Sequence, residues 1–144
     1  MASKQRELLK AQALRDKGKA EQFSEDLTPE GRREYYLLSM ALFAGTVSTR
    51  LGDEPSRDDI DTILKELRYD FRDSEGKVNF LHIEGAIRAL YGEEDLLDSI
   101  AKADQTKAFM AVIMKIVHQN DDVRNRLDDY LTEAEKLVEV WKRA

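Results

Sequence analysis

The sequence predicts an all-α protein: an irregular single-domain bundle of about seven helices, with two central buried helices over 29–50 and 105–118. Three observations lead there. Apolar residues recur at three- and four-residue spacing along most of the chain, the period of a helix with one buried face. Two prolines and seven glycines in 144 residues are too few to punctuate a strand-and-turn fold. The length sits near the mode for one domain, enough to bury a core without metal or disulfide help.

The elements follow in order. Residues 3–22 read as a narrowly striped basic helix carrying Leu8, Leu9, Ala11, Ala13 and Leu14, weakened in its second half by Gly18. This segment, 1–22, is expected as a loosely attached arm on an acidic helical domain, 23–144, with Phe23–Leu27 as the linker. Thr28-Pro29-Glu30 places a hydroxyl at the N-cap, proline at the first helical position and an acid in the first turn. The helix that follows is apolar around most of its middle, and Gly52 suits a left-handed stop.

Ser56-Arg57-Asp58-Asp59 has the form of a capping box ahead of Ile60, Ile63, Leu64 and Leu67. A helix over about 80–91 presents Ile83, Ala86, Ile87 and Leu90, and a short one over about 93–103 presents Leu96, Leu97 and Ile100. The second strongly apolar helix carries Phe109, Met110, Val112, Ile113, Met114, Ile116 and Val117. Asn120 or Asp121 then caps a last helix whose stripe from Val123 to Trp141 keeps phase and predicts one continuous element.

Composition narrows the function classes. The absence of cysteine removes thiol nucleophiles, iron–sulfur clusters and thiolate zinc sites. The most apolar windows are about ten residues long where a membrane span needs about 20, so no membrane partner is expected. The first residues lack the pattern of a secretory signal, which with the missing cysteine leads to a cytoplasmic expectation. A net charge of −6 disfavours general nucleic-acid binding. The charge is uneven, however. Residues 1–20 carry Lys4, Arg6, Lys10, Arg15, Lys17 and Lys19 against Glu7 and Asp16, a net +4, leaving −10 on the rest. These six cations are the candidate partner-binding residues, and any nucleic-acid contact would pass through them.

Catalytic patterns do not accompany the core. His82 and His118 form no His-x3-His pair, and no Gly-x-Ser-x-Gly elbow, Walker or Rossmann glycine pattern occurs. The helices over 57–70 and 80–91 are a poor helix-turn-helix, since the second offers Arg88 beside Glu84, Gly85 and Ala86. The expectation is a non-enzymatic interaction or regulatory protein without a cofactor, whose partner is another protein. Apolar stripes this broad are also compatible with a two-fold homodimer.

A weak internal pseudo-repeat appears at an offset of 70. Met40-Ala41 falls on Met110-Ala111, Val47 on Val117, Asp58-Asp59 on Asp128-Asp129, Thr62 on Thr132 and Leu67 on Leu137. These are seven identities in the 37 positions from Tyr35 to Phe71, against about three expected from composition.

Two resemblances involve metal. The Asp70–Ile83 stretch resembles a degenerate EF-hand loop: Asp73 and Glu75 fall at the third and fifth positions, Gly76 at the sixth, Val78 at the eighth and Asn79 at the ninth. Phe71 and His82 stand at the first and twelfth, so the resemblance implies such a turn without calcium affinity. Leu51-Gly52-Asp53-Glu54 leading to Asp58-Asp59, echoed by Asn120-Asp121-Asp122 leading to Asp128-Asp129, resembles the tellurite-resistance TerB-like helical domains. That resemblance implies a stress-response domain holding a divalent cation. Its candidate ligands are Asp53, Glu54, Asp58, Asp121 and Asp122, to which the EF-hand-like loop adds Asp73 and Glu75.

Overall fold

A computed structural model describes residues 3–25, 27–72 and 79–143. Among them the fold is all-α, with nine helices rather than about seven. They are α1 (Lys4–Ala13), α2 (Lys17–Ser24), α3 (Pro29–Leu51), α4 (Arg57–Asp70), α5 (Phe80–Leu90), α6 (Asp95–Asp98), α7 (Lys102–Gln119), α8 (Asp121–Asn125) and α9 (Leu127–Arg143). No helix among the described residues is long and apolar enough to cross a membrane.

The caps explain the boundaries. Thr28 accepts a hydrogen bond from the Gly31 amide at 3.0 Å and starts α3. Ser56 and Asp59 make both reciprocal bonds of a capping box at 3.1 Å and start α4. Gly52 ends α3 at φ 82°, a conformation open to glycine and costly for other residues.

The two extra helices arise from breaks within expected elements. The single helix expected over 3–22 divides at Leu14–Asp16. There the Asp16 amide donates to the Ala11 carbonyl at 2.8 Å and the Arg15 amide to the Gln12 carbonyl at 3.0 Å. These are the two bonds of a Schellman stop, made with Arg15 at φ 60° where glycine usually sits. Helix α2 then extends through Phe23, which therefore does not belong to a linker. The last helix breaks at Arg126, between α8 and α9, while Val123, Leu127 and Leu131 stay buried on one face. The expected short helix over 93–103 is reduced to α6, and Lys102 already begins α7.

Helix α3 is the axle. Tyr36 near its start donates a hydrogen bond to Gln105 near the start of α7, and Arg50 near its end donates to Gln119 near the end of α7 at 3.3 Å. The two central helices therefore run side by side in the same direction. Helix α9 runs the opposite way along α3: the Tyr130 and Thr49 hydroxyls lie 3.1 Å apart, and Lys142 reaches Glu34 at 2.6 Å. Phe43 and Phe109 stack at 4.8 Å between ring centres in the core shared by α3 and α7.

The first helix is not loosely attached. Leu8 and Leu9 are buried, and Leu9 and Ala13 belong to the same core as Leu42, Val47 and Ile113. Even Gln105, a buried polar residue, is fully used: its amide nitrogen donates to the Leu97 and Ile100 carbonyls at 3.0 and 2.8 Å. That pins the α6 turn against α7.

Candidate functional site: a basic groove

A groove of about 1030 Å³ is bounded by the α1–α2 turn, the end of α4 and one face of α7. Its floor follows from helical spacing. Lys107, Met110, Ala111, Met114, Lys115 and His118 recur at three- and four-residue steps and form one stripe of α7. Residues on its other side, including Phe109, Val112, Ile113 and Ile116, fill the core. Met110, Ala111 and Ala11 are buried under the groove, while Met114 and Phe71 are half-buried in its surface.

The wall opposite is built by the Schellman stop. Turning the chain at Arg15 brings Arg15, Asp16 and Lys17 to the rim, and Asp16 caps α2 by accepting from the Lys19 amide at 3.2 Å. Helix α2 buries no residue completely, so it stands as a surface wall rather than a core element. Inside, the Tyr35 hydroxyl donates to the Gln12 side-chain oxygen and ties α3 to α1. Burial, opposed by that hydrogen bond, pushes the Tyr35 phenol up to about 12, so it stays a neutral donor at any physiological pH.

The charges around the groove divide into paired and unpaired sets. Lys115 is a charged residue among the buried ones, and its ammonium reaches Asp70 directly and Glu66 at 3.7 Å. Glu66 also accepts from Arg50 at 2.7 Å and from Gln119 at 3.3 Å. Burial drives the Glu66 carboxyl upward, but the bonds and charges of Arg50, Gln119 and Lys115 outweigh it and leave it below its usual value. This network fastens α4 to α3 and α7 and fixes the far end of the groove. By contrast, among the described residues no hydrogen bond or ion pair holds the side chains of Arg15, Lys17 and Lys107. Arg72 lies at the same rim, 3.8 Å from the Tyr69 ring centre, and donates to the Tyr69 carbonyl at 2.6 Å.

The six cations expected as one basic arm thus have different places. Arg6 donates to the Thr132 hydroxyl at 3.1 Å and the Asp128 carbonyl at 2.9 Å, and also pairs with Glu135. Lys10 bonds Asp128 at 3.1 Å. Arg6 and Lys10 therefore clamp α1 to α9. Arg15 and Lys17 line the groove, Lys19 is exposed on α2, and Lys4 stands at the start of α1.

The candidate metal ligands separate in the same way. Asp53 accepts from Ser48 at 3.1 Å, Asp121 pairs with Arg124, and Asp122 lies 3.7 Å from Arg126. Glu54 and Asp58 are exposed, Asp58 in the first turn of α4 where the helix dipole favours an acid. Asp73 and Glu75 lie outside the described residues. Among the described residues no three acids or histidines come together as a metal cage.

Sequence reasoning missed the groove. It is assembled from positions 11–20, 35, 70–72 and 106–119, and no local pattern links them. The one available signal was the pair Met110 and Met114, four apart beside Lys107 and Lys115, which spacing assigns to the core. Comparison with family models, curated proteins and solved structures finds no match for this chain.

Proposed function

We propose that this chain is a non-enzymatic interaction or regulatory protein of the cytoplasm, holding a partner protein against the groove between α2 and α7. The observation that carries the reading is the set Arg15, Lys17 and Lys107, unpaired among the described residues, above a methionine floor on a chain of net charge −6. Cations left unpaired on an acidic protein create a local positive field, which steers and selects anionic partners. Methionine suits such a floor because its flexible thioether repacks against varied surfaces.

The bundle itself reads as two related halves, α3–α4 and α7–α9. In support, α4 begins at 57 and α9 at 127, the same offset of 70, and α3 and α7 lie parallel. Ala41 with Ala111, Leu42 with Val112 and Val47 with Val117 are buried in both central helices. In this reading the groove occupies the side of α7 that α1 and α2 leave uncovered.

The test is capture from a native cytoplasmic extract by the wild-type chain and by K17E/K107E, compared by mass spectrometry. Loss of specific proteins from the variant is the expected result. An identical captured set would remove the groove from the function.

A further inference from the structure

We infer that the occupant of the groove is a single amphipathic helix of a partner protein, acidic on the face that meets the rim and apolar on the face that meets Met110 and Met114. The inference rests on the reading of the groove as a docking face and specifies what docks there.

Length comes first. The lining of α7 runs from Thr106 to Gln119, a rise of about 20 Å at helical pitch. That matches a partner helix of about 13 residues, close to four turns. Shape agrees, since α7 forms the floor and both the α1–α2 turn and the end of α4 border it. A helix laid there would gain neighbours on three sides, the arrangement by which grooves bind amphipathic helices through anchors at i, i+3, i+4 and i+7.

Charge then selects the sequence of that helix. Arg15 and Lys17 stand at one wall and Lys107 near the start of α7, while the deep ammonium of Lys115 is spent on Asp70 and Glu66. The opening is therefore cationic at its rim and apolar beneath. A guest with Glu or Asp outside its apolar stripe satisfies both levels. Nucleic acid fits worse. Residues 21–144 carry −10, which repels an extended phosphate backbone, and the floor offers methionine rather than a row of aromatic platforms for bases.

The experiment selects binders from a phage-displayed library of random 16-residue peptides on the full chain. Enriched peptides are then measured by fluorescence anisotropy against the wild type, K17E/K107E and R57E/K65E. The last pair makes the same charge change at exposed positions of α4. The expected result is enrichment of acidic peptides with apolar residues at i, i+3, i+4 and i+7. Their affinity should fall at least tenfold in K17E/K107E, stay within twofold in R57E/K65E, and weaken between 50 and 300 mM salt.

No enriched peptide, neutral or proline-rich extended peptides, or binding indifferent to K17E/K107E would overturn the inference. So would tighter binding of a 16-nucleotide single strand than of any selected peptide. If the inference fails while extract proteins still depend on Lys17 and Lys107, the docking face stands with a different guest. If extract capture is also indifferent, the functional reading falls with it.

Discussion

The two halves of the amino-terminal basic segment share composition and differ in fate. Arg6 and Lys10, on α1, are consumed by Asp128, Thr132 and Glu135 of α9, and the apolar face between them lies in the core. Arg15 and Lys17, one turn of chain later, face an open groove. A run of like charge in sequence is therefore two objects in space: a clamp, then a rim. The divider is the left-handed stop at Arg15.

The contrast is sharpest at Leu9, which has no exposed surface. L9A should cost about 2–5 kcal/mol in urea unfolding, the range for emptying a buried leucine site. An unchanged midpoint would mean that α1 is not core. Deleting residues 1–22 should lower the melting temperature more still, since it removes the whole inner face of α1.

Next in size is the clamp against the rim. Arg6→Ala removes several bonds to α9 and should cost about 1–2 kcal/mol, whereas Lys17→Ala should stay within about 0.5 kcal/mol. Equal losses would erase the distinction.

Acid offers a third discriminator. The hydrogen bond from Lys10, opposed by burial and helped by the charges of Lys10 and Arg6, holds the Asp128 carboxyl below the usual aspartate value. Glu66 is likewise held below 4.5. A depressed carboxyl contributes stability that is present above its unfolded value and disappears as pH falls through its folded one. Melting temperature should therefore hold down to about pH 4.5 for these two groups and decline below it. Lys10→Met should flatten the lowest part of that decline, and Lys17→Met should not. Thermal melts from pH 6 to pH 2.5 check both.

The smallest effect separates stability from binding at one residue. Arg15→Gly relieves a left-handed conformation while adding freedom to the unfolded chain, for a net gain of about 0.5 kcal/mol. The same change removes a rim cation, so selected peptides should bind more weakly to a slightly more stable protein. A loss of stability would show that the Arg15 side chain holds the turn.

Most of the scaffold was legible because its signals are local. Thr28-Pro29 and the Ser56–Asp59 box each start a helix within a few residues of the apolar stripe they introduce. The hidden breaks are those without a local signature. Arg15 stops α1 in a conformation that sequence reading expects of glycine or asparagine. Arg126 interrupts the last helix without disturbing its buried face, so the phase from Val123 to Val138 is right while continuity is not. The groove was illegible for a different reason. Met110 and Met114 carry the same spacing whether a helix covers them or not, and only the fold decides which of the two is left half-open. Similarly, the acids near residues 53 and 121 read as a ligand set in sequence, yet Asp53, Asp121 and Asp122 each lie beside a nearby hydroxyl or arginine.

The parallel course of α3 and α7 has a kinetic corollary. Antiparallel neighbours close through a short hairpin, but two helices pointing the same way need the chain to travel back before they meet, here across residues 52–101. Pairing Phe43 with Phe109 therefore waits on a long loop closure, an entropic toll that up-and-down bundles avoid. The protein should fold more slowly than its helix content suggests, with its central seam forming late.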